Sequence, residues 1–88
     1  MRRVAAAALL AAATLAGCGG PDVPWGDYAP RLQEQIITAR TAKDCATLQT
    51  MFNNAAANNQ ATLTRTGHNN ADLMAYIDQA LKDASCHP

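Results

Sequence analysis

No glycine and no proline lies between Thr41 and Gly67. That uninterrupted run constrains the fold more than any other stretch of the chain. Glycine and proline are the residues that most often stop or bend a helix, and the apolar residues of the run recur with a helical period. Cys45, Leu48, Phe52 and the Ala55-Ala56 pair share one stripe, Met51 lies beside it, and Leu63 falls eleven residues beyond Phe52, close to three turns. The expectation is one helix over about 42–66, with Gly67 as its left-handed stop. Asn53-Asn54 and Asn58-Asn59 are mediocre helix formers, so a break near Asn58-Asn59 is the competing reading. Thr41 is placed to cap the helix by accepting from the Asp44 N–H, three residues on.

Two shorter helices flank this run. Leu32, Ile36 and Ala39 repeat at helical spacing, with Ile37 broadening the stripe, and predict a helix over about 30–40 with Pro30 at its first position. Beyond the connector His68-Asn69-Asn70, in which Asn69 or Asn70 supplies a cap, Leu73, Ile77, Ala80, Leu81 and Ala84 mark the buried stripe of a helix over about 71–85. Met74 and Tyr76 flank that stripe. So short a connector makes the last two helices antiparallel. Their lengths differ, about 31 Å from Cys45 to Thr66 against about 22 Å from Ala71 to Cys86 at ~1.5 Å per residue. A bend at the asparagines of the longer one absorbs the difference. The fold class is all-α, a small three-helix bundle.

The first residues have a different character. Arg2 and Arg3 precede a 13-residue run of Val, Ala, Leu and one Thr, Val4–Ala16, and small residues follow. That is the order of an export signal, and the run is shorter than the roughly 20 apolar residues that span a bilayer. At its end, Leu15-Ala16-Gly17-Cys18 resembles the lipobox of bacterial lipoproteins. The resemblance covers about the first 20 residues. It implies a signal peptide over 1–17, cleavage between Gly17 and Cys18, and lipidation of Cys18 with two or three acyl chains. At about 0.8 kcal/mol per buried methylene, these exceed the marginal binding of a single chain. It further implies a lipid membrane as partner and an address on the outer face of the cytoplasmic membrane, or on the outer membrane in a diderm host. Residues 18–29, beginning with the flexible and then proline-restricted Gly19–Pro24, form the lipidated tether. The helical domain is 30–88.

Loss of the leader leaves 71 of the 88 residues, with five basic side chains against seven acidic ones and a formal net charge of −2. That is a poor footprint for nucleic acid, which calls for a basic patch. Of the 71, 30 are apolar and 12 of those are alanine, so the core is thin for its size and a covalent staple is expected. With Cys18 lipidated, Cys45 and Cys86 remain in a compartment where disulfides persist. Pairing them closes a loop of about 40 residues and contributes about 4 kcal/mol in the chain-entropy treatment. In an antiparallel hairpin the pair clamps the open end. The alternative, a metal site of Cys45, Cys86, His68 and His87, lacks the spacing that such sites use; no cofactor is expected.

Catalytic chemistry is not legible. Glu34 is the only glutamate, Ser85 the only serine, and Asp72 and Asp78 stand on different faces of their helix, so paired carboxylates and a serine nucleophile are both missing. A chain this short is expected to lack a ligand cavity of ~300 Å³ or more. What remains is recognition surface: the asparagine pairs, a polar tip with Arg65 and His68, and the large aromatics Trp25 and Tyr28, which either pack on the bundle or anchor a partner. The reading is a non-enzymatic envelope protein whose helical domain binds another envelope macromolecule. The alternative is an inhibitor lipoprotein, of the kind temperate phages use to exclude competing phages.

Overall fold

A computed structural model describes residues 22–86, which are helical throughout apart from their connections. The leader, Gly17, Cys18 and His87 lie outside the described residues. A single 3-10 turn, Trp25–Asp27, precedes four α-helices: α1 (Leu32–Thr41), α2 (Cys45–Ala57), α3 (Asn59–Thr66) and α4 (Ala71–Asp83). The count is four rather than three because the helix expected over 42–66 is broken at Asn58. Among these elements α2 and α4 pack most extensively, and α1 packs against both. These three form the bundle, and α3 belongs to the connection between α2 and α4.

The break resolves the length mismatch. α2 and α4 are each 13 residues long, about 20 Å at ~1.5 Å per residue, so the two partners of the hairpin match. Asn58 leaves the helix at φ −97° and ψ 7°, and its Nδ2 donates to the Asn54 carbonyl at 2.9 Å, the kind of local side-chain bond that competes with helical geometry. Beyond the kink the buried face stays in register with Leu48 and Ala55. Leu63, expected on the inner stripe, is 39% exposed, while Thr62 is buried at 6%. Leu48, Ala55 and Thr62 fall seven residues apart, so the inner stripe runs through them, and the one extrapolated from the half-buried Phe52 misses it by one residue. Ile37, at 36% exposed, likewise faces outward on α1, since Ile36 and Ala39 already fill the narrow seam.

The core is Val23, Ile36, Ala39, Leu48, Ala55, Leu73, Ile77, Ala80, Leu81 and Ala84. All five positions expected on the stripe of the last helix are in it. Its four alanines let the helix backbones approach closely, at the expense of apolar area. The packed unit also begins earlier than Pro30: Val23 is in the core, and Trp25 and Tyr28 pack against it. Pro30 occupies the turn ahead of α1 rather than its first position, a turn in which the Leu32 N–H bonds the Ala29 carbonyl at 3.0 Å.

The base of the bundle is built from two matching turns. At the end of α1 the Lys43 N–H bonds the Arg40 carbonyl at 3.0 Å and the Asp44 N–H bonds the Ala39 carbonyl at 2.8 Å. At the end of α4 the Ser85 N–H bonds the Lys82 carbonyl at 3.0 Å and the Cys86 N–H bonds the Leu81 carbonyl at 2.8 Å. Both pairs follow the Schellman pattern, which needs a left-handed residue. Lys43 (φ 55°) and Ser85 (φ 61°) supply it without being glycine. α4 therefore ends at Asp83, two residues before the expected Ser85. The cap of α2 is Asp44 rather than Thr41, which remains in α1. Asp44 accepts from the Thr47 N–H at 3.1 Å and from the Thr47 hydroxyl at 2.7 Å, and these bonds hold its carboxyl below the usual carboxylate range. The two turns set Cys45 and Cys86 with Cα atoms 5.6 Å apart, joined by a disulfide.

A left-handed lysine or serine carries a strain that glycine does not. Lys43→Gly and Ser85→Gly are each expected to raise stability by about 0.5–1 kcal/mol, read from urea unfolding with the disulfide intact. A loss of stability in both variants would count against the two-turn account of the base.

Candidate functional site

The end of the bundle opposite the disulfide gathers the polar and aromatic residues that the sequence singles out. Its centre is Asn70, 2% exposed and the only asparagine among the fully buried side chains. Every polar group of Asn70 has a partner. Its N–H donates to Asn59 Oδ1 at 2.7 Å, its Nδ2 donates to the Ala55 carbonyl at 2.8 Å, and its Oδ1 accepts from the Tyr28 hydroxyl at 2.7 Å. Its own carbonyl accepts from the Met74 N–H at 2.8 Å, starting α4. A buried amide is tolerated only when satisfied in this way. The kink supplies one of the partners: in a continuous helix the Ala55 carbonyl would belong to the N–H of residue 59.

The segment before α1 closes over this centre. Tyr28 is half-buried and burial pushes its phenol above the ordinary range, an effect the nearby Arg65 guanidinium partly opposes. Trp25 sits edge-on to Tyr76 of α4, with ring centroids 5.0 Å apart, and 6.4 Å from the Tyr28 ring. Such edge-to-face pairs contribute beyond their buried area. His68 lies 6.1 Å from the Tyr28 ring. Its Nδ1 is 2.9 Å from the Asn69 carbonyl and its Nε2 is 2.9 Å from Asp27 Oδ2. Both facing atoms are acceptors, so both ring nitrogens must carry hydrogen to make both bonds. The Asn69 carbonyl first, and then the Asp27 carboxylate, raise the His68 pKa above the ordinary histidine value. In its protonated form the ring pins the 3-10 turn to the connector through both nitrogens.

Of the four residues singled out for partner binding, the structure thus brings Trp25, Tyr28 and His68 together and engages all three within the domain. Arg65 differs. It is exposed, and among the described residues it has no hydrogen bond or ion pair. Asp27 is the member that sequence reasoning missed: 41 positions separate it from His68, and no local pattern links a turn aspartate to a connector histidine. The result is a carboxylate–histidine pair, but both of its ring nitrogens are occupied. The sulfurs of Cys45 and Cys86 are bonded to each other at the far end, well away from His68.

One further feature departs from expectation. A cleft of about 540 Å³ runs along the bundle between α1 and α3 and is open to solvent on one side, where a chain of this size is expected to have none. Leu73 and Ile77 of α4 form its floor with Ala55, and Leu32 and Met51 form walls. Tyr28 and Asn70 close the tip end, beside Thr62 and Arg65. It exists because α1 makes little contact with α3. α1 is only 10 residues long and lies against α2 and α4.

The centre carries two expected outcomes. Asn70→Ala leaves the Ala55 carbonyl and the Tyr28 hydroxyl without partners and is expected to cost about 3 kcal/mol, whereas Tyr28→Phe, which removes one bond, costs about 1. Urea unfolding under non-reducing conditions compares them, and equal costs would show that Asn70 is not the shared node. The His68 pin is expected to titrate. Since its folded pKa is raised, its contribution is fully present below the unfolded value and is lost as pH rises through the folded value. By NMR, the His68 ring should titrate above an ordinary histidine, and Asp27→Asn should lower that midpoint without removing the part due to Asn69. Comparison with known proteins finds no relative: no family model matches the chain, and no curated protein or solved structure is detectably similar.

Proposed function

We propose that the chain is an exported lipoprotein, anchored by lipid on Cys18 at the outer face of a bacterial membrane, whose helical domain serves as a binding module. The observation that supports this reading most is the Cys45–Cys86 bridge. Disulfides persist in oxidising compartments and are rare in the cytosol. The bridge also uses two of the three cysteines, leaving only Cys18, which stands at the end of the lipobox-like Leu15-Ala16-Gly17-Cys18. An apolar leader, a small-residue cleavage site and a folded unit that begins by Val23 then follow in the order such a protein requires. Among the described residues no helix is long and apolar enough to cross a membrane, so the proposed anchor is the lipid itself.

The domain offers binding chemistry rather than an assembled reaction centre. The charged groups of its polar tip are Arg65, Asp72 in the first turn of α4 and the His68–Asp27 pair, and its one histidine–carboxylate contact holds the fold. The partner in this reading is another component of the envelope.

Intact mass of the membrane-extracted protein, with and without reductant and beside a Cys18→Ala variant, tests the proposal. The expected mass is that of Cys18–Pro88 plus two or three acyl chains, lighter by two hydrogens before reduction, with Cys18→Ala neither lipidated nor cleaved. An unlipidated wild-type chain would remove the anchor from the proposal.

A further inference from the structure

The cleft between α1 and α3 has a composition that selects a ligand class. Its accessible interior is predominantly apolar, through the half-buried Leu32 and Met51 over the buried Leu73 and Ile77, which suits an aliphatic or aromatic body and not a sugar or nucleotide. The exposed Gln35 and Asn54 amides in its lining have no hydrogen bond among the described residues, and two further groups without a partner there stand together at the tip end. One is the Thr62 hydroxyl, on a residue only 6% exposed. A buried hydroxyl is ordinarily hydrogen-bonded; neither the Thr62 carbonyl bond to Thr66 nor any other protein contact satisfies it. The other is the Arg65 guanidinium, the only charged group in the lining. Thr62 and Arg65 are neighbours, three residues apart on α3.

The lining residues of the α2–α3 rod, from Met51 through Ala55, Asn58 and Thr62 to Arg65, follow one helical face across the kink. They span roughly 20 Å at ~1.5 Å per residue. The cleft is therefore elongated, with its cation and its free hydroxyl at the tip end and its apolar length running toward the base.

We propose that this cleft binds a free amphiphile with one anionic head group and an aliphatic chain, a fatty-acid-type carboxylate. The carboxylate pairs with Arg65, whose planar fork matches it in a bidentate contact, and accepts from the Thr62 hydroxyl. The chain lies along Met51, Leu32, Leu73 and Ile77. A single guanidinium balances a single negative charge, so a doubly charged phosphate monoester is a poorer match and a cationic amphiphile is repelled. The volume of about 540 Å³ lies within the ~300–1,000 Å³ of small-molecule sites. This assignment goes beyond the envelope reading and does not depend on lipidation of Cys18.

Photolabelling of the purified full chain in zwitterionic nanodiscs, with a diazirine analogue of dodecanoate and peptide mapping by mass spectrometry, tests it. Label is expected on the peptides carrying Met51–Arg65 and Leu73–Ile77, displaced by unmodified dodecanoate. Ala61→Trp, at an exposed position that lines the cleft, fills it and should cut labelling at least tenfold while circular dichroism stays unchanged. Arg65→Glu should cut it at least fivefold, whereas Lys43→Glu, an exposed reversal at the far end of the bundle, should leave it unchanged. A dodecylamine analogue should label at least fivefold less than the carboxylate. Label spread evenly over all helices, or undiminished in Ala61→Trp, overturns the site. Equal labelling by the amine, or insensitivity to Arg65→Glu, overturns the anionic head group.

Discussion

The Asn70 side chain is the interaction on which the rest of the arrangement depends. A buried amide costs several kcal/mol if its groups are unmet, and Asn70 is met by three different parts of the chain: Ala55 of α2, Asn59 of α3 and Tyr28 of the segment ahead of α1. Each of these partners depends on a local irregularity. The Ala55 carbonyl is free to accept because the helix breaks at Asn58. Asn59 Oδ1 reaches the Asn70 N–H because α3 turns away and the connector brings the chain back. The Tyr28 hydroxyl arrives because Val23 and Trp25 are packed against the core. Break, return and closure are thus coupled through one residue, in a domain whose alanine-rich core has little apolar area to spare.

The opposite end is held by a different physics. There the helices finish in left-handed turns at Lys43 and Ser85, which saturate the last carbonyls with backbone donors and aim Cys45 and Cys86 at each other. The bridge restricts the unfolded chain rather than adding contact to the folded one, a gain of about 4 kcal/mol for a loop of this length. That is comparable to the few kcal/mol that one core of this size supplies. The hairpin of α2 and α4 is therefore fastened at both ends, by a covalent bond where the packing is simplest and by a hydrogen-bond node where it is most irregular. α1 packs against α2 and α4 through Ile36 and Ala39 but makes little contact with α3, which leaves a cleft.

How much of this the sequence displayed varies with the physics involved. The stripe Leu73, Ile77, Ala80, Leu81, Ala84 was legible because α4 is straight and strongly amphipathic, and periodicity reports that directly. Pairing of the cysteines followed from their number and from where an antiparallel hairpin puts them. The break at Asn58 was visible only as a weakness, since asparagine is a mediocre helix former that many helices accommodate. The break goes with a tertiary partner, Asn70, which bonds Ala55 and Asn59 on either side of it, and no local pattern encodes that. The left-handed stops were hidden for a related reason: Lys43 and Ser85 are not the residues that usually adopt this conformation, and the Schellman bonds impose it on them. Leu63 was misplaced because the stripe was extrapolated from the half-buried Phe52, whereas the buried face follows Leu48, Ala55 and Thr62. The carboxylate partner of His68 was out of reach of any spacing argument, and so was the cleft, whose existence depends on which pair of helices fails to touch.

The same few contacts that fasten the tip also shape the cleft. Tyr28 lines it and bonds Asn70; Thr62 and Arg65 line it from α3, whose direction the kink sets; Asp27, one residue before Tyr28, is held by His68. The width of the tip end therefore depends on the docking of residues 23–28, and that docking depends partly on an imidazolium. Raising the pH through the His68 pKa removes one hydrogen from the pin and leaves either Asp27 Oδ2 or the Asn69 carbonyl without its donor. The Tyr28–Asn70 bond is untouched by that change, so the segment loosens at Asp27 without releasing the phenol. A domain built this way keeps its buried node over a wide pH range while the outer edge of its cleft responds to protonation. The division follows from chemistry: the Asn70 carboxamide has no proton to gain or lose in this range, and the His68 imidazole does.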